Sequence, residues 1–247
     1  MKKKIAIIGS GIAGLTLGNL LKKNPQISFK IYEREDGHII NEGYGIQLSV
    51  NCISILRDLD FDLIDKKKMY HPQKLNFFSI SNDKICDLDL TKFNTNNNKY
   101  TTLRRSVLVE FLREKLFKEN LKFNKDIKKI SELKDKILIN FSDNTNDLVD
   151  YLFVCDGIFS NTKKIIEKNS PSPKFSKAFA IRSIVKSSDV AEIDNHNISL
   201  FMGSKSHVVT YPINQKGELN AVCIIRSNQK SIIDPRNFLE KNIFNQS

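Results

Sequence analysis

A short apolar run, Ile5-Ala6-Ile7-Ile8, leads directly into Gly9-Ser10-Gly11-Ile12-Ala13-Gly14, and no other part of this chain restricts its fold so tightly. The run suits a strand buried on both faces. Leu15-Thr16-Leu17-Gly18-Asn19-Leu20-Leu21 follows at helical spacing, and a second apolar stretch from Ile27 to Tyr32 ends on Glu33. Strand, glycine turn, helix, strand and terminal acid, in that order, predict a dinucleotide-binding βαβ unit.

Each glycine has a separate physical task in such a unit. Gly9 permits the tight turn, Gly11 lets the backbone approach a pyrophosphate with no Cβ in the way, and Gly14 lets the helix pack close to the sheet. The N–H groups of Ile12 and Ala13 open the helix, and its positive dipole end then faces the phosphates. Glu33 can accept hydrogen bonds from a ribose diol, and its charge disfavours a 2′-phosphate there. A purely structural glycine turn is the alternative, and these residues alone leave the identity of the dinucleotide open.

The 247 residues suffice for one large domain or two modest ones with a real core. No apolar run reaches the roughly 18 residues of a membrane-crossing helix, so no membrane span is expected. Cys52, Cys86, Cys155 and Cys223 are scattered and form no CxxC, and His38, His71, His196 and His207 are equally dispersed. This predicts a reduced, cytoplasmic protein with neither a disulfide framework nor a metal site. The formal net charge of +11 raises the question of a nucleic-acid partner. The lysines are spread out, however, with short runs only at Lys2–Lys4 and Lys66–Lys68, and no aromatic-interleaved basic stripe is present. No nucleic-acid partner is expected.

Beyond Glu33, Arg34 to Asn41 reads as a polar turn and Gly43 to Ser49 as a glycine-bearing loop, with Asn51 capping a helix that carries Ile53, Ile55, Leu56 and Leu59. Leu75 to Ile80 and Ile85 to Leu90 predict a hairpin across Ser81-Asn82-Asp83-Lys84. Tyr100 to Leu103 leads into a helix beginning near Arg104-Arg105-Ser106, with Val107, Leu108, Phe111, Leu112 and Leu116 on one side. The period then changes to two, and strands are predicted over Leu121–Phe123, Ile127–Ile130, Ile137–Phe141 and Leu148–Cys155. Ile158 to Glu167 suits a short helix. Ser170-Pro171-Ser172-Pro173 is the clearest boundary. Strands at Ala178–Val185, Ile198–Met202, His207–Pro212 and Leu219–Arg226 follow, and a helix is expected over Phe238–Phe244.

Asp156-Gly157 ends what reads as a buried strand. Ligands of open α/β sheets bind at the carboxyl ends of strands, so Asp156 could accept hydrogen bonds from cofactor hydroxyls, with Gly157 allowing close approach. An ordinary Asp-Gly turn is the other reading. Arg105, at a strand-to-helix junction, could pair with a pyrophosphate or simply decorate the helix start.

Together these segments resemble the class A FAD-dependent monooxygenases, the aromatic-ring hydroxylases, and within them the salicylate hydroxylase-like branch. Gly9-x-Gly11-x-x-Gly14-x-x-x-Gly18 with Glu33-Arg34 is similar to the family's FAD fingerprint. Gly43-Tyr44-Gly45-Ile46-Gln47-Leu48-Ser49-Val50-Asn51 resembles its glycine loop and helix start, with Val50 where proline is usual. Arg105-Ser106-Val107-Leu108 is similar to the helix whose arginine contacts FAD. Cys155-Asp156-Gly157-Ile158-Phe159-Ser160 resembles the Asp-Gly motif shared between FAD and NAD(P)H, with Lys163 where an arginine usually closes it. Ala180-Ile181-Arg182 is similar to the family's "fRg" strand, and His207-Val208-Val209-Thr210-Tyr211-Pro212-Ile213 to its "H-v-v-x-Y-P" hairpin.

The resemblance implies an α/β protein with a Rossmann-like FAD-binding domain, over 1–72 and 99–169, and a mainly β substrate domain over 73–98 and 170–247. It implies FAD held by Gly9, Gly11, Ile12, Ala13, Gly14, Glu33, Arg34, Gly45, Arg105, Asp156 and Gly157. NAD(P)H then reduces the flavin, and O2 adds to give a hydroperoxide that hydroxylates a small aromatic substrate. Arg182 would hold the substrate or a flavin edge, and His207 would assist phenol deprotonation, a role suited to an imidazole. A strand histidine packed on its sheet and a surface ion pair are the plainer readings of these two. A homodimer is compatible with the resemblance. The family's third motif begins with Gly-Asp, and that dipeptide occurs nowhere in this sequence. The expectation is therefore a fragment or a shortened product, with a related FAD epoxidase or reductase, or a non-catalytic nucleotide-binding remnant, as alternatives.

Overall fold

The computed structural model describes residues 2–37, 43–167, 169, 171, 173–190 and 192–227. In chain order the first elements are β1 (Lys3–Ile8), α1 (Ile12–Leu21), β2 (Ile27–Tyr32), β3 (Gly45–Leu48), α2 (Val50–Arg57), β4 (Met69–Tyr70), β5 (Lys74–Ser79) and β6 (Lys84–Asp89). Next come β7 (Thr101–Arg104), α3 (Arg105–Glu114), β8 (Leu121–Lys122), β9 (Ile127–Leu133), β10 (Lys136–Phe141), β11 (Asn146–Val149), β12 (Tyr151–Val154) and α4 (Asn161–Ile166). The last are β13 (Ala178–Lys186), β14 (Ile198–Met202), β15 (Ser206–Pro212) and β16 (Glu218–Arg226).

The chain divides into two compact units, residues 1–42 with 106–173 and residues 43–105 with 174–247. The first holds a parallel sheet in the order β12-β1-β2-β8 and an antiparallel β11-β10-β9 meander. Ala6, Ile8 and Tyr32 from the parallel sheet share a buried core with Ile127, Ile139, Phe141 and Val149 from the meander. Helix α1 lies close to the sheet because Gly18 has no side chain: a Cβ there would sit 2.8 Å from Ile31 Cδ1. The buried Asn19 amide donates to the Leu15 and Leu112 carbonyls, tying α1 to α3.

The second unit holds a six-stranded sheet, β13-β16-β15-β14-β5-β6, and a small β3-β7-β4 sheet. The β5–β6 hairpin turns through Asn82 at φ +70°, a conformation asparagine tolerates well. Leu90, Ile198, Tyr211 and Ile213 form this unit's buried cluster.

Several sequence expectations are corrected. Gly43 to Ser49 is not a loop throughout, because Gly45–Leu48 pairs antiparallel with β7. Ser49, rather than Asn51, precedes the first residue of α2. The expected single strand Leu148–Cys155 is two: β11 pairs with β10 in one sheet and β12 with β1 in another. The chain changes sheet at Asp150, whose carboxylate accepts the Lys4 N–H at 2.7 Å. β12 is also an edge strand among the described residues rather than a buried one, with Tyr151 51% and Phe153 42% exposed. By contact, residues 43–105 group in one compact unit with residues 174–247. Hydrogen bonds from Gly45 N–H to Asn220 and from the Thr102 hydroxyl to the Pro212 carbonyl explain that grouping. The helix expected over Phe238–Phe244 lies outside the described residues.

Candidate functional site

In the first unit, three strand ends come into register. Ile8 of β1 aligns with Tyr32 of β2 on one side and Val154 of β12 on the other. Gly9, Glu33 and Cys155-Asp156 therefore leave one carboxyl edge of a parallel sheet side by side, where open α/β sheets take their ligands. Gly9 has φ +100°, and a Cβ there would lie 2.6 Å from the Cys155 carbonyl oxygen. A Cβ on Gly14 would be 2.0 Å from the Gly9 carbonyl oxygen, so the turn and the helix close on each other through backbone alone. Gly11 differs: apart from its chain neighbours, no atom of the described residues lies within 4 Å of its Cβ position. No neighbour among the described residues demands glycine at 11, and the open space is what a closely approaching ligand would use. Ile12 and Ala13 begin α1, which no side chain caps, so their N–H groups point out of the helix start without a side-chain acceptor.

Glu33 braces this turn. Its Oε2 accepts from the Ser10 N–H at 2.8 Å and the Ser10 hydroxyl at 2.9 Å. Arg34 makes a half-exposed pair with Glu35. Asp156 has two different oxygens: Oδ2 accepts the Thr162 N–H at 3.2 Å, whereas Oδ1 is buried with no hydrogen-bond partner among the described residues. A buried carboxylate oxygen without a donor is costly, and a ligand hydroxyl would relieve it. Gly157 follows at φ +80° with open space at its Cβ position. Burial, reinforced by the Asp156 charge, pushes the Cys155 thiol above its ordinary pKa, which disfavours its thiolate form.

The second unit contributes a different surface. Gly45 is a packing glycine, since a Cβ there would meet Asn220 Cβ at 2.6 Å, Ile213 Cγ2 at 2.7 Å and Tyr211 Cε2 at 2.8 Å. Arg105 starts α3 with its N–H on the Tyr44 carbonyl. Its exposed guanidinium forms no ion pair among the described residues. Cross-strand register puts Arg182, Val222, Val209 and Leu200 on one face of the six-stranded sheet. His207 and Tyr211 stand two residues either side of Val209, on that same face. Strand spacing separates the Arg182 and His207 Cα atoms by roughly 12 Å, so side chains can reach opposite edges of one small ring.

Tyr211 did not stand out as a site residue in the sequence, although the alternation His207-Val209-Tyr211 could have found it. It is buried, and burial holds its phenol up to about 12, opposed by the nearby Arg182 charge. Neighbouring Tyr100 donates to Gln47 at 2.7 Å. Among the described residues no cluster of three His, Cys, Asp or Glu side chains could hold a metal ion, and no helix is long and apolar enough to cross a membrane.

No family model matches the chain. It is 28% identical over 251 residues to the FAD-dependent monooxygenase eupB of Phoma sp, covering 90% of this chain and 54% of that protein. It is 23% identical over 239 residues to a salicylate hydroxylase of Pseudomonas putida, covering 89% of this chain and 53% of that protein. The chain spans about half the length of these curated relatives. Its fold superposes on Klebsiella pneumoniae HpxO, solved with FAD and uric acid, with a TM-score of 0.84 at 16% identity over 98% of this chain and 61% of that one. The fold is thus a Rossmann-like α/β unit with a mainly β unit, as the sequence implied.

Proposed function

We propose that this chain, which is similar in sequence and fold to the class A FAD-dependent monooxygenases, belongs to an enzyme that hydroxylates a small aromatic ring using FAD, NAD(P)H and O2. The observation that carries the reading is the unpartnered Asp156 Oδ1, buried at the same sheet edge as Gly9 and Glu33. The residues present fit the cofactor. The turn from Gly9 to Gly14, with the Ile12 and Ala13 N–H groups, would hold its pyrophosphate, Glu33 its ribose diol, and Asp156-Gly157 its remaining hydroxyls. Arg105 would add a cation to the phosphates. Arg34 and Gly45 belong to the same reading, Gly45 through its backbone, because protein fills its Cβ position.

FAD, when bound, supplies the electron and oxygen transfer; the protein's part is to bind, orient and manage protons. Arg182 would hold a substrate carboxylate or carbonyl. Tyr211, kept un-ionised by burial, would donate a hydrogen bond from its hydroxyl. His207 would accept a phenolic proton, making the ring more electron-rich before attack. Val222 and Val209, between them on the sheet, offer an apolar floor that excludes water. A cytoplasmic location and a homodimer complete the reading, supported by the resemblance alone.

Flavin fluorescence tests it directly, because the flavin absorbs and emits in the visible, where the protein itself does not. Titrating FAD with the protein should quench the flavin saturably and raise the melting temperature, with ADP competing. Absence of both responses would sink the cofactor assignment.

A further inference from the structure

The small β3-β7-β4 sheet has two faces with different surroundings. Gly45 and Thr102 point toward Asn220 and Pro212 of the large sheet. Thr101 and Met69 project from the opposite face by strand alternation. There, wholly within the second unit, a cavity of about 420 Å3 opens between α2, the 61–71 segment and the 96–101 segment. Its volume is within the range of small-molecule sites.

The lining is amphipathic. Ile53, Phe61, Ile64 and Met69 are all buried and supply an apolar floor. Four groups with basic nitrogen also line it: Arg57, Lys66, Lys99 and His71. Arg57 is already matched, with Nε on Asp62 at 3.0 Å and Nη1 on Asn98 at 3.3 Å. Lys66 and Lys99 form no ion pair among the described residues. Two unmatched ammonium groups over a buried apolar floor call for a single anionic head on an apolar body.

His71 adds a conditional third donor. The Thr101 hydroxyl gives its proton to the Lys99 carbonyl at 2.7 Å, so at the 3.1 Å contact with Thr101 the His71 Nδ1 must be the donor. Nε2 is then the unprotonated nitrogen of the neutral ring. Desolvation holds the imidazole below its ordinary pKa, opposed by the Tyr100 carbonyl and reinforced by Lys99 and Lys66. An anion between these cations would reverse the repulsion and bring a proton to Nε2.

We infer that this cavity is a second small-molecule site, which binds a short-chain monocarboxylate by its head at Lys66, Lys99 and His71 and by its tail over Ile53, Phe61, Ile64 and Met69. It lies on the opposite face of the small sheet from Gly45 and Thr102, and so does not depend on the proposed hydroxylase chemistry. The test is a calorimetric and histidine-NMR titration of the full chain with hexanoate, with 1-hexanol as the uncharged analogue and sulfate as the anion without a tail. Hexanoate should saturate at one site about tenfold more tightly than either comparator, and should raise the His71 pKa. The Lys66→Gln/Lys99→Gln double variant should weaken it by about tenfold. Lys68→Gln, which removes an adjacent charge outside the cavity, should change it by less than about twofold. Arg182→Gln should leave it unchanged. Binding no tighter than sulfate, an equal loss in Lys68→Gln, or loss in Arg182→Gln would each overturn the assignment. The His71 response in the unaltered protein decides the matter even where a variant folds poorly.

Discussion

Gly11 and Gly14 are three residues apart and read alike in the sequence, yet the structure asks different things of them. A Cβ at 14 collides with a backbone carbonyl, which cannot rotate away, whereas a Cβ at 11 meets open space. Gly14→Ala should therefore destabilise the first unit by about 1–3 kcal/mol or more, seen as a lower urea midpoint. Gly11→Ala should keep its stability within about 0.5 kcal/mol while weakening FAD binding, because its cost falls on the ligand rather than the fold. Asp156→Ala completes the comparison. It loses the hydrogen bond to Thr162, about 1 kcal/mol, but also removes an unsatisfied buried oxygen. Its melting temperature should hardly change, while its FAD dissociation constant rises about tenfold, the loss of one charge-assisted hydrogen bond.

At the level of elements, β11 is held to the parallel sheet by Asp147, whose carboxylate takes the Tyr32 hydroxyl, the Lys4 ammonium and the Lys30 ammonium. Burial alone would raise the Asp147 pKa; the hydrogen bonds from Lys4 and Tyr32 and the charges of Lys30 and Lys4 outweigh it and bring it below the ordinary value. A depressed carboxyl pKa stabilises the fold above the unfolded value near 4, and that contribution is lost as pH falls through the folded one. Asp147→Ala should cost about 1–3 kcal/mol at neutral pH, since it strands a buried tyrosine hydroxyl. The gap to the unaltered protein should close as urea denaturation is repeated below about pH 4. The same stretch explains why β11 and β12 read as one strand. Leu148 to Cys155 is apolar enough to be continuous, and the break at Asp150 depends on Lys4, distant in sequence.

Across the whole molecule, each unit buries a tyrosine whose phenol is held above its ordinary pKa: Tyr32 in the first, by burial and then Asp147, and Tyr211 in the second, at about 12. A raised phenol pKa gives stability that is complete below about 10 and lost as pH rises toward the folded value, because the unfolded chain ionises first. The urea midpoint should therefore hold to about pH 10 and fall beyond it. In Tyr211→Phe the fall should be shallower.

The chain's local patterns were enough to specify the βαβ unit, the glycine turn, the β5–β6 hairpin and the four strands of β13 to β16. Each of these depends on residues close in sequence: an apolar period, a turn residue, a helix start. The resemblance carried by those same motifs named the fold. Tertiary structure alone decided which glycines serve packing and which leave room for a ligand, because that depends on Cys155 beside Gly9 and on Asn220 beside Gly45. It alone left one Asp156 oxygen without a donor and brought Lys66 and Lys99 to His71. Sequence patterns record what a residue does with its near neighbours; a site is made by residues that meet only once the sheets have formed.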